Sequence, residues 1–324
     1  MSQALVVGLD LGGTKIAGAL VSHDGRILSR SRTATPAVRG AEAVLDAAAA
    51  LAAQLASSAP TGSTLLGIGL GAAGTIDPVT ASVVAATDTL PGWAGTQLRE
   101  ELTRALTTGA HALPSSLWAT GSPGIEAVND VHAHALGEAW LGAAAGAPST
   151  LLVAFGTGVG GSFLTEGRPL TGAHHVAGHL GHLPSVQAAG LPCSCGAHSH
   201  LEAIASGPAV ASAYARRGGN PGLDTPAVFA LAAAGDPLAT EVVRTAALAA
   251  GEAMAGLANA FDPHVLLVSG GLSEAGRLWW EPMLVAYREH TLSSLRATSP
   301  VAATLGGDAA TLGAASLLLH RARH

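Results

Sequence analysis

The chain has 324 residues, enough for two domains with substantial cores, and although 48% of it is hydrophobic, glycine and charge interrupt every apolar run before it could span a bilayer. A net charge of −6, without a basic run and with only 3% aromatic residues, excludes the electrostatic footprint of a nucleic-acid binder. The opening MSQALVVGLD carries neither the positive region nor the cleavage site of a secretory signal, so a cytoplasmic protein with reduced thiols is expected.

Taken in order, the apolar run Ala4–Leu9 is broken by Asp10-Leu-Gly-Gly-Thr-Lys15 and resumes at Ile16–Val21. Strand, glycine turn, strand reads as a hairpin whose turn carries Asp10, Gly12, Gly13, Thr14 and Lys15, the only lysine in the chain. Such a turn lets backbone N–H groups approach a phosphate, and Asp10 suits a hydrated Mg²⁺; the plain alternative is a turn and nothing more. It is not a Walker loop, because a strand follows it rather than a helix. Next come a helix at Ala41–Ala56, a strand at Leu65–Gly71 and a second glycine turn, Gly71 to Asp77, that contains Gly74. A helix at Gln97–Leu106 precedes an irregular stretch from Thr107 to Gly124, placed near a domain boundary. Ile125–Asp130 then reads as a strand ending in Asn129 and Asp130, followed by a helix from Val131 to about Leu141. Asp130 is either that helix's N-cap or a carboxylate poised over a reacting hydroxyl.

The first arrangement then repeats. Leu151–Phe155 is a strand, Gly156-Thr157-Gly158-Val-Gly-Gly161 breaks it, and Ser162–Thr165 resumes. Two hairpins of one kind suggest two similar lobes with phosphate between them, or else two unrelated glycine turns. Eight of the fourteen histidines lie between His132 and His200, and the only two cysteines, Cys193 and Cys195, lie one residue apart. That spacing is poor for an unstrained disulfide, whereas thiolates beside imidazoles suit a tetrahedral Zn²⁺ held by His182, Cys193, Cys195 and His200. Four protein ligands leave no open position, so the metal would be structural; the alternative is a loop with two buried thiols and solvated histidines. Glu202 follows directly, as though the clamped loop held a carboxylate towards a ligand. Helices are expected at Ser206–Arg216, Thr225–Ala234 and Pro237–Phe261, a strand at Val265–Val268, and a last helix at Ala309–Arg321. Gly270 and Gly271, at the end of that strand and opening a helix, would let a flat adenine ring lie on backbone.

Together these stretches, from Val6-Val-Gly-Leu-Asp-Leu-Gly-Gly-Thr-Lys15 to Leu312-Gly-Ala-Ala315, resemble the ROK family of sugar kinases and sugar-responsive repressors, within the actin/hexokinase/Hsp70 superfamily. The resemblance implies an α/β fold of two RNase H-like (actin-like ATPase) lobes around a central cleft. Residues 1–124 would form the first lobe and 125–308 the second, with helix 309–324 packing back onto the first. It implies a homodimer that phosphorylates the 6-hydroxyl of a sugar from ATP with Mg²⁺ and carries structural Zn²⁺, while charge and composition speak against nucleic-acid and membrane partners. Asp130 would be the base, with an ordinary acidic pKa. Gly74, Asn129, His179, His182 and Glu202 would contact the sugar. Asp10–Lys15 and the turn with Gly156, Thr157 and Gly158 would embrace the phosphates, and Gly270 and Gly271 would lie near the adenosine.

The departures from the family pattern bear on substrate. His179 replaces the usual glutamate three residues before the zinc histidine, a pattern similar to that of N-acetylmannosamine kinases. An N-acylated hexosamine is therefore favoured over glucose, with a glucokinase as the alternative. His200 stands for the family's third cysteine, and His174 and His175 stand where glycines are common. A repressor would need an N-terminal helix-turn-helix, for which the motif at Asp10 leaves no room. A non-catalytic sugar-binding protein is the remaining reading of another class, and polyphosphate is an alternative donor.

Overall fold

The computed structural model describes residues 4–87 and 90–320. Alternation along the first strand decides which face each side chain takes. In β1 (Ala4–Leu11), Leu5, Val7, Leu9 and Leu11 join one core while Val6 joins another on the opposite face. The chain continues through β2 (Lys15–Ser22), β3 (Ile27–Ala34), α1 (Ala41–Ser57), β4 (Thr64–Ala72), β5 (Thr75–Asp77), β6 (Ser82–Ala85) and α2 (Leu98–Thr107). Then follow β7 (Gly124–Asn129), α3 (Asp130–Leu141), β8 (Ser149–Phe155), β9 (Val159–Thr165) and β10 (Arg168–Pro169). Beyond the cysteines lie α4 (Glu202–Ala205), α5 (Gly207–Arg216), α6 (Thr225–Ala233), α7 (Pro237–Phe261), β11 (Val265–Ser269), α8 (Arg277–His290), β12 (Val301–Ala302) and α9 (Ala309–Leu319).

The chain packs as two compact units. One comprises the residues up to Gly146, Gly167–Val176 and the chain from Leu305; the other comprises Ala147–Glu166 and Ala177–Thr304. Packing thus divides the chain after α3 rather than at residue 124, because β7 finds its backbone partners in β4. In the first unit the sheet order is β3-β2-β1-β4-β7, with β1 to β3 antiparallel and β4 and β7 parallel to β1. In the second, β9-β8-β11-β12 follow the same plan: an antiparallel hairpin around a glycine turn, then parallel strands. The expectation of two α/β lobes of like topology holds. Register brings Leu11, Ala72 and Asn129 level across β1, β4 and β7, so the polar residues at these strand ends share one edge of the parallel sheet, where open α/β sheets bind ligands.

Small residues set how closely the helices approach. A Cβ on Gly8 would lie 2.0 Å from the Thr311 carbonyl oxygen, and one on Gly69 1.8 Å from that of Ala314, so α9 lies against β1 and β4 backbone to backbone. On its other side, Gly313 faces α3: a Cβ there would sit 1.7 Å from the Ala133 oxygen and 2.6 Å from the Gly137 nitrogen. Because both neighbours are helix backbone, Gly313→Ala is expected to destabilise by about 3 kcal/mol and lower the melting temperature by roughly 5–10 °C. Gly256, exposed in α7 with nothing within 4 Å of its would-be Cβ, provides the opposite sign. Gly256→Ala should stabilise by about 0.5–1 kcal/mol in the same denaturation experiment.

Several short elements, and two long ones, escape a reading by pattern. Strand β3 is an exposed edge without a buried residue, and α8 carries Pro282 in its interior. The last helix is described to Leu319, and the expected end at Arg321 lies outside the described residues.

Candidate functional site

On the first unit, chemistry gathers at the ends of β1, β4 and β7. Gly71 makes room for it: a Cβ there would fall 2.7 Å from the Ala133 Cβ and 3.4 Å from the Asp130 Cα. Asn129, not Asp130, is the N-cap of α3; its Oδ1 accepts from the N–H groups of Val131 at 3.0 Å and His132 at 3.4 Å. The Asn129 amide donates to the Gly74 carbonyl at 3.0 Å, tying the second glycine turn to the head of the helix. Asp130 is therefore spared the capping role, although its Oδ1 also accepts from the Val131 N–H at 2.9 Å.

Burial pushes the Asp130 carboxyl above its ordinary value, against the lowering effect of the Val131 N–H and Asn129. An ordinary acidic pKa was expected; the difference arises because the half-buried carboxylate is partly desolvated, which no local sequence signal records. Asp10 is raised to about 6, first by burial, then by the charge of Asp130, with Lys15 pulling the other way. Two carboxyls thus share one electrostatic environment at the sheet edge. The turn beside them is self-contained: the Gly12 N–H donates to the Lys15 carbonyl at 3.1 Å, and Thr35 donates its hydroxyl to the Gly12 carbonyl at 2.7 Å. His175, one of the two histidines at glycine positions, adopts a left-handed φ of +59° that glycine takes without strain. Its Nε2 lies 3.8 Å from an Asp77 oxygen.

On the second unit, the chain between His179 and Glu202 folds as a small hairpin. Its turn closes through the Cys193 N–H to the Ala197 carbonyl at 2.8 Å, with Gly196 at φ +87°. Pairing of Pro184 with His200 then brings the second arm under His182. His182 Nδ1 lies 3.6 Å from Cys193 Sγ, His200 Nδ1 lies 3.3 Å from Cys195 Sγ, and all four donor atoms fall within 4.8 Å of one another. A tetrahedral Zn²⁺ with bonds of about 2.0 Å to nitrogen and about 2.3 Å to sulfur sets N···S edges of about 3.5 Å, so the donor set fits the ion. The expected four ligands come together, and His198 stands outside the set. His179 lies alongside His182, with ring centroids 6.2 Å apart and 23° between planes.

Glu202 opens α4, and its Oε2 accepts from the Val159 N–H at 2.9 Å, just beyond the turn Gly156–Gly158. That turn is braced from the other side: the Gly207 N–H donates to the Gly156 carbonyl at 2.8 Å, and Thr225 donates its hydroxyl to the Gly207 carbonyl at 2.6 Å. Helix α5, capped by Ser206 at 3.2 Å from the Ala209 nitrogen, thereby presents its N-terminus near the turn, a position that favours an anion. Beside it a cavity of about 530 Å³ is lined by Gly156, Thr157 and Gly271, by the apolar Pro208, Phe229 and Leu272, and by the carboxylates of Asp224 and Glu274. Gly270 takes φ +83° where a Cβ would strike the Phe155 carbonyl at 2.4 Å, so only glycine carries the chain past β8 into this cavity. Sequence reasoning found the glycines but missed Pro208, Asp224, Phe229 and Glu274. The runs Ser206-Gly-Pro and Asp224-Thr-Pro were readable as helix starts, though not as neighbours.

The profile of the ROK family matches residues 6–321. The chain belongs to the ROK family. A glucokinase of Halalkalibacterium halodurans is 32% identical over 97% of this chain and 94% of the relative. An N-acetylmannosamine kinase of Citrobacter koseri is likewise 32% identical, over 96% of this chain and 97% of its own. In structure, this ROK chain is similar to a ROK family glucokinase of Streptomyces griseus in complex with glucose and AMPPNP, with a TM-score of 0.77, 31% identity, and coverage of 97% and 98% of the two chains. Among the described residues of this ROK chain, no single helix is long and apolar enough to cross a membrane.

Proposed function

We propose that this ROK protein is a sugar kinase that transfers the γ-phosphoryl group of ATP to the 6-hydroxyl of a hexose or N-acylhexosamine. The observation that carries the proposal is Asp130, a half-buried carboxylate at the head of α3 whose capping duty Asn129 has taken over. Phosphoryl transfer asks mainly for positioning and charge neutralisation, with a base to orient the hydroxyl and accept its proton as the new bond forms. Asp130 takes that role; Asn129 and Gly74 are the candidate sugar contacts of the first unit, and His179, His182 and Glu202 those of the second. With Nδ1 of His182 directed at the metal set, its Nε2 remains for a hydroxyl. The turns Asp10–Lys15 and Gly156–Gly158 hold phosphate oxygens, with the α5 N-terminus supporting the second. The adenosine takes the cavity beside Gly270 and Gly271, where Asp224 and Glu274 suit ribose hydroxyls. Asp10 suits a hydrated Mg²⁺, which would neutralise charge on the transferred group. Zn²⁺ on His182, Cys193, Cys195 and His200 would hold the loop in shape and supply no reacting group. A homodimer belongs to the same proposal.

On the sugar, His179 favours N-acetylmannosamine, because an imidazole donates as well as accepts and asks for different partners from a glutamate. The second reading is glucose, favoured by the glucokinase relatives at equal identity. Coupled ADP release from Mg-ATP over N-acetylmannosamine, N-acetylglucosamine, glucose and mannose tests both. A dominant N-acetylmannosamine signal is expected, and His179→Glu should shift kcat/KM towards glucose by about ten-fold or more. An unchanged sugar profile in that variant would remove His179 from sugar selection. A silent panel would move the weight to a non-catalytic sugar-binding protein.

A further inference from the structure

The proposed role of Glu202 requires a carboxylate held in one orientation, and the structure supplies a second anchor for it. Ser194, between the two cysteines, contributes no metal ligand. Its hydroxyl donates to Glu202 Oε1 at 2.5 Å, while Glu202 Oε2 accepts from the Val159 N–H at 2.9 Å. Each oxygen thus has one donor, and each keeps lone-pair capacity for a ligand hydroxyl. The carboxylate also occupies the space that a side chain at position 158 would need: a Cβ on Gly158 would sit 2.7 Å from Oε2. Without the serine hydroxyl, Oε1 loses its donor, and the remaining bond from Val159 leaves the carboxylate more play about its last torsion, which is soft.

We propose that Ser194 is a positioning residue: it fixes the Glu202 carboxylate for the sugar and joins the cysteine loop to the Gly156–Gly158 turn. This rests on the sugar-kinase reading for its consequence, but the linkage itself can be tested apart from activity. A hydrogen bond to a charged group that orients a ligand contact predicts a rise in sugar KM of about ten-fold in Ser194→Ala, larger than any fall in kcat, with zinc content unchanged. Amide hydrogen exchange at Val159 should quicken in the same variant, because its acceptor is no longer held. Ser194→Thr, which keeps the hydroxyl, should restore both.

The experiment measures sugar KM, kcat, zinc per chain and Val159 exchange for the wild-type chain and the two variants. A raised KM with faster exchange, both reversed by threonine, supports the proposal. An unchanged KM in an active Ser194→Ala enzyme overturns the positioning role, and unchanged Val159 exchange overturns the linkage. Loss of zinc in Ser194→Ala would overturn it too, since the serine would then act through the metal loop. A wild-type chain that phosphorylates no sugar counts against the kinase reading instead, and Val159 exchange still decides the linkage.

Discussion

Asp130→Asn should abolish most of the turnover while leaving the fold intact. Loss of a general base typically costs 10²–10⁴-fold, and about 10³-fold in kcat is expected here. Asparagine is isosteric and its Oδ1 can still accept the Val131 N–H, so calorimetry should find sugar binding retained. Burial raises the Asp130 pKa, and the base works only when ionised. The acid limb of wild-type kcat/KM should therefore lie above the ordinary carboxylate value of about 4, with activity falling as pH drops through the raised value. The stability sign follows from the same shift. A carboxyl with a raised folded-state pKa supports the fold below its unfolded pKa and loses that contribution as pH rises through the folded one. The neutral asparagine escapes this loss, so Asp130→Asn should melt higher than wild type near pH 7–8. The gap should close as pH approaches about 4. A variant with wild-type turnover would remove Asp130 from the reaction.

Cys193→Ser tests the metal set with an effect of similar size. Serine supplies no thiolate, leaving three donors of the four that lie within 4.8 Å of one another. Zinc should fall from about one per chain to a small fraction of that, and kcat/KM should drop by more than about 100-fold. The loss reaches activity because the same loop carries His182, and Ser194 within it holds Glu202. The second unit's apolar core of β8, β11, α7 and α8 residues should survive, so far-ultraviolet circular dichroism should change little. Chelation of the wild-type protein should reproduce the loss, and added Zn²⁺ should reverse it. A fully active, zinc-free variant would show that the loop keeps its shape without the ion.

Much of the fold was legible where periodicity was clean. Both expected hairpins form, since a glycine-rich break between apolar runs admits little else, but their turns are shorter than expected: residues 12–14 and 156–158, because Asp10, Lys15, Gly160 and Gly161 pair within the strands. The donor set around Cys193 was legible for a different reason: both cysteines of the chain and four of its histidines fall within residues 179–200. Strand β3 was not, because an exposed edge has no buried face to stamp a pattern on it. Nor was α8, whose Pro282 reads as a stop although the buried Trp279, Met283 and Tyr287 hold the helix in place.

By itself, then, the sequence determined the chemistry available: a carboxylate after a strand, two glycine turns, a cluster of thiols and imidazoles. These are properties of residue type and short spacing, and they survive without knowledge of the fold. Tertiary structure alone decided which groups lost their water and which acquired partners far along the chain. Burial raised Asp130, and Asn129 rather than Asp130 became the cap. Residues Pro208, Asp224, Phe229 and Glu274 came to line one cavity with Gly156 and Gly271. Ser194 and Val159, 35 positions apart in the chain, came to grip the same carboxylate. Desolvation and long-range hydrogen bonds depend on where the backbone brings distant segments, and no local window of sequence contains that information.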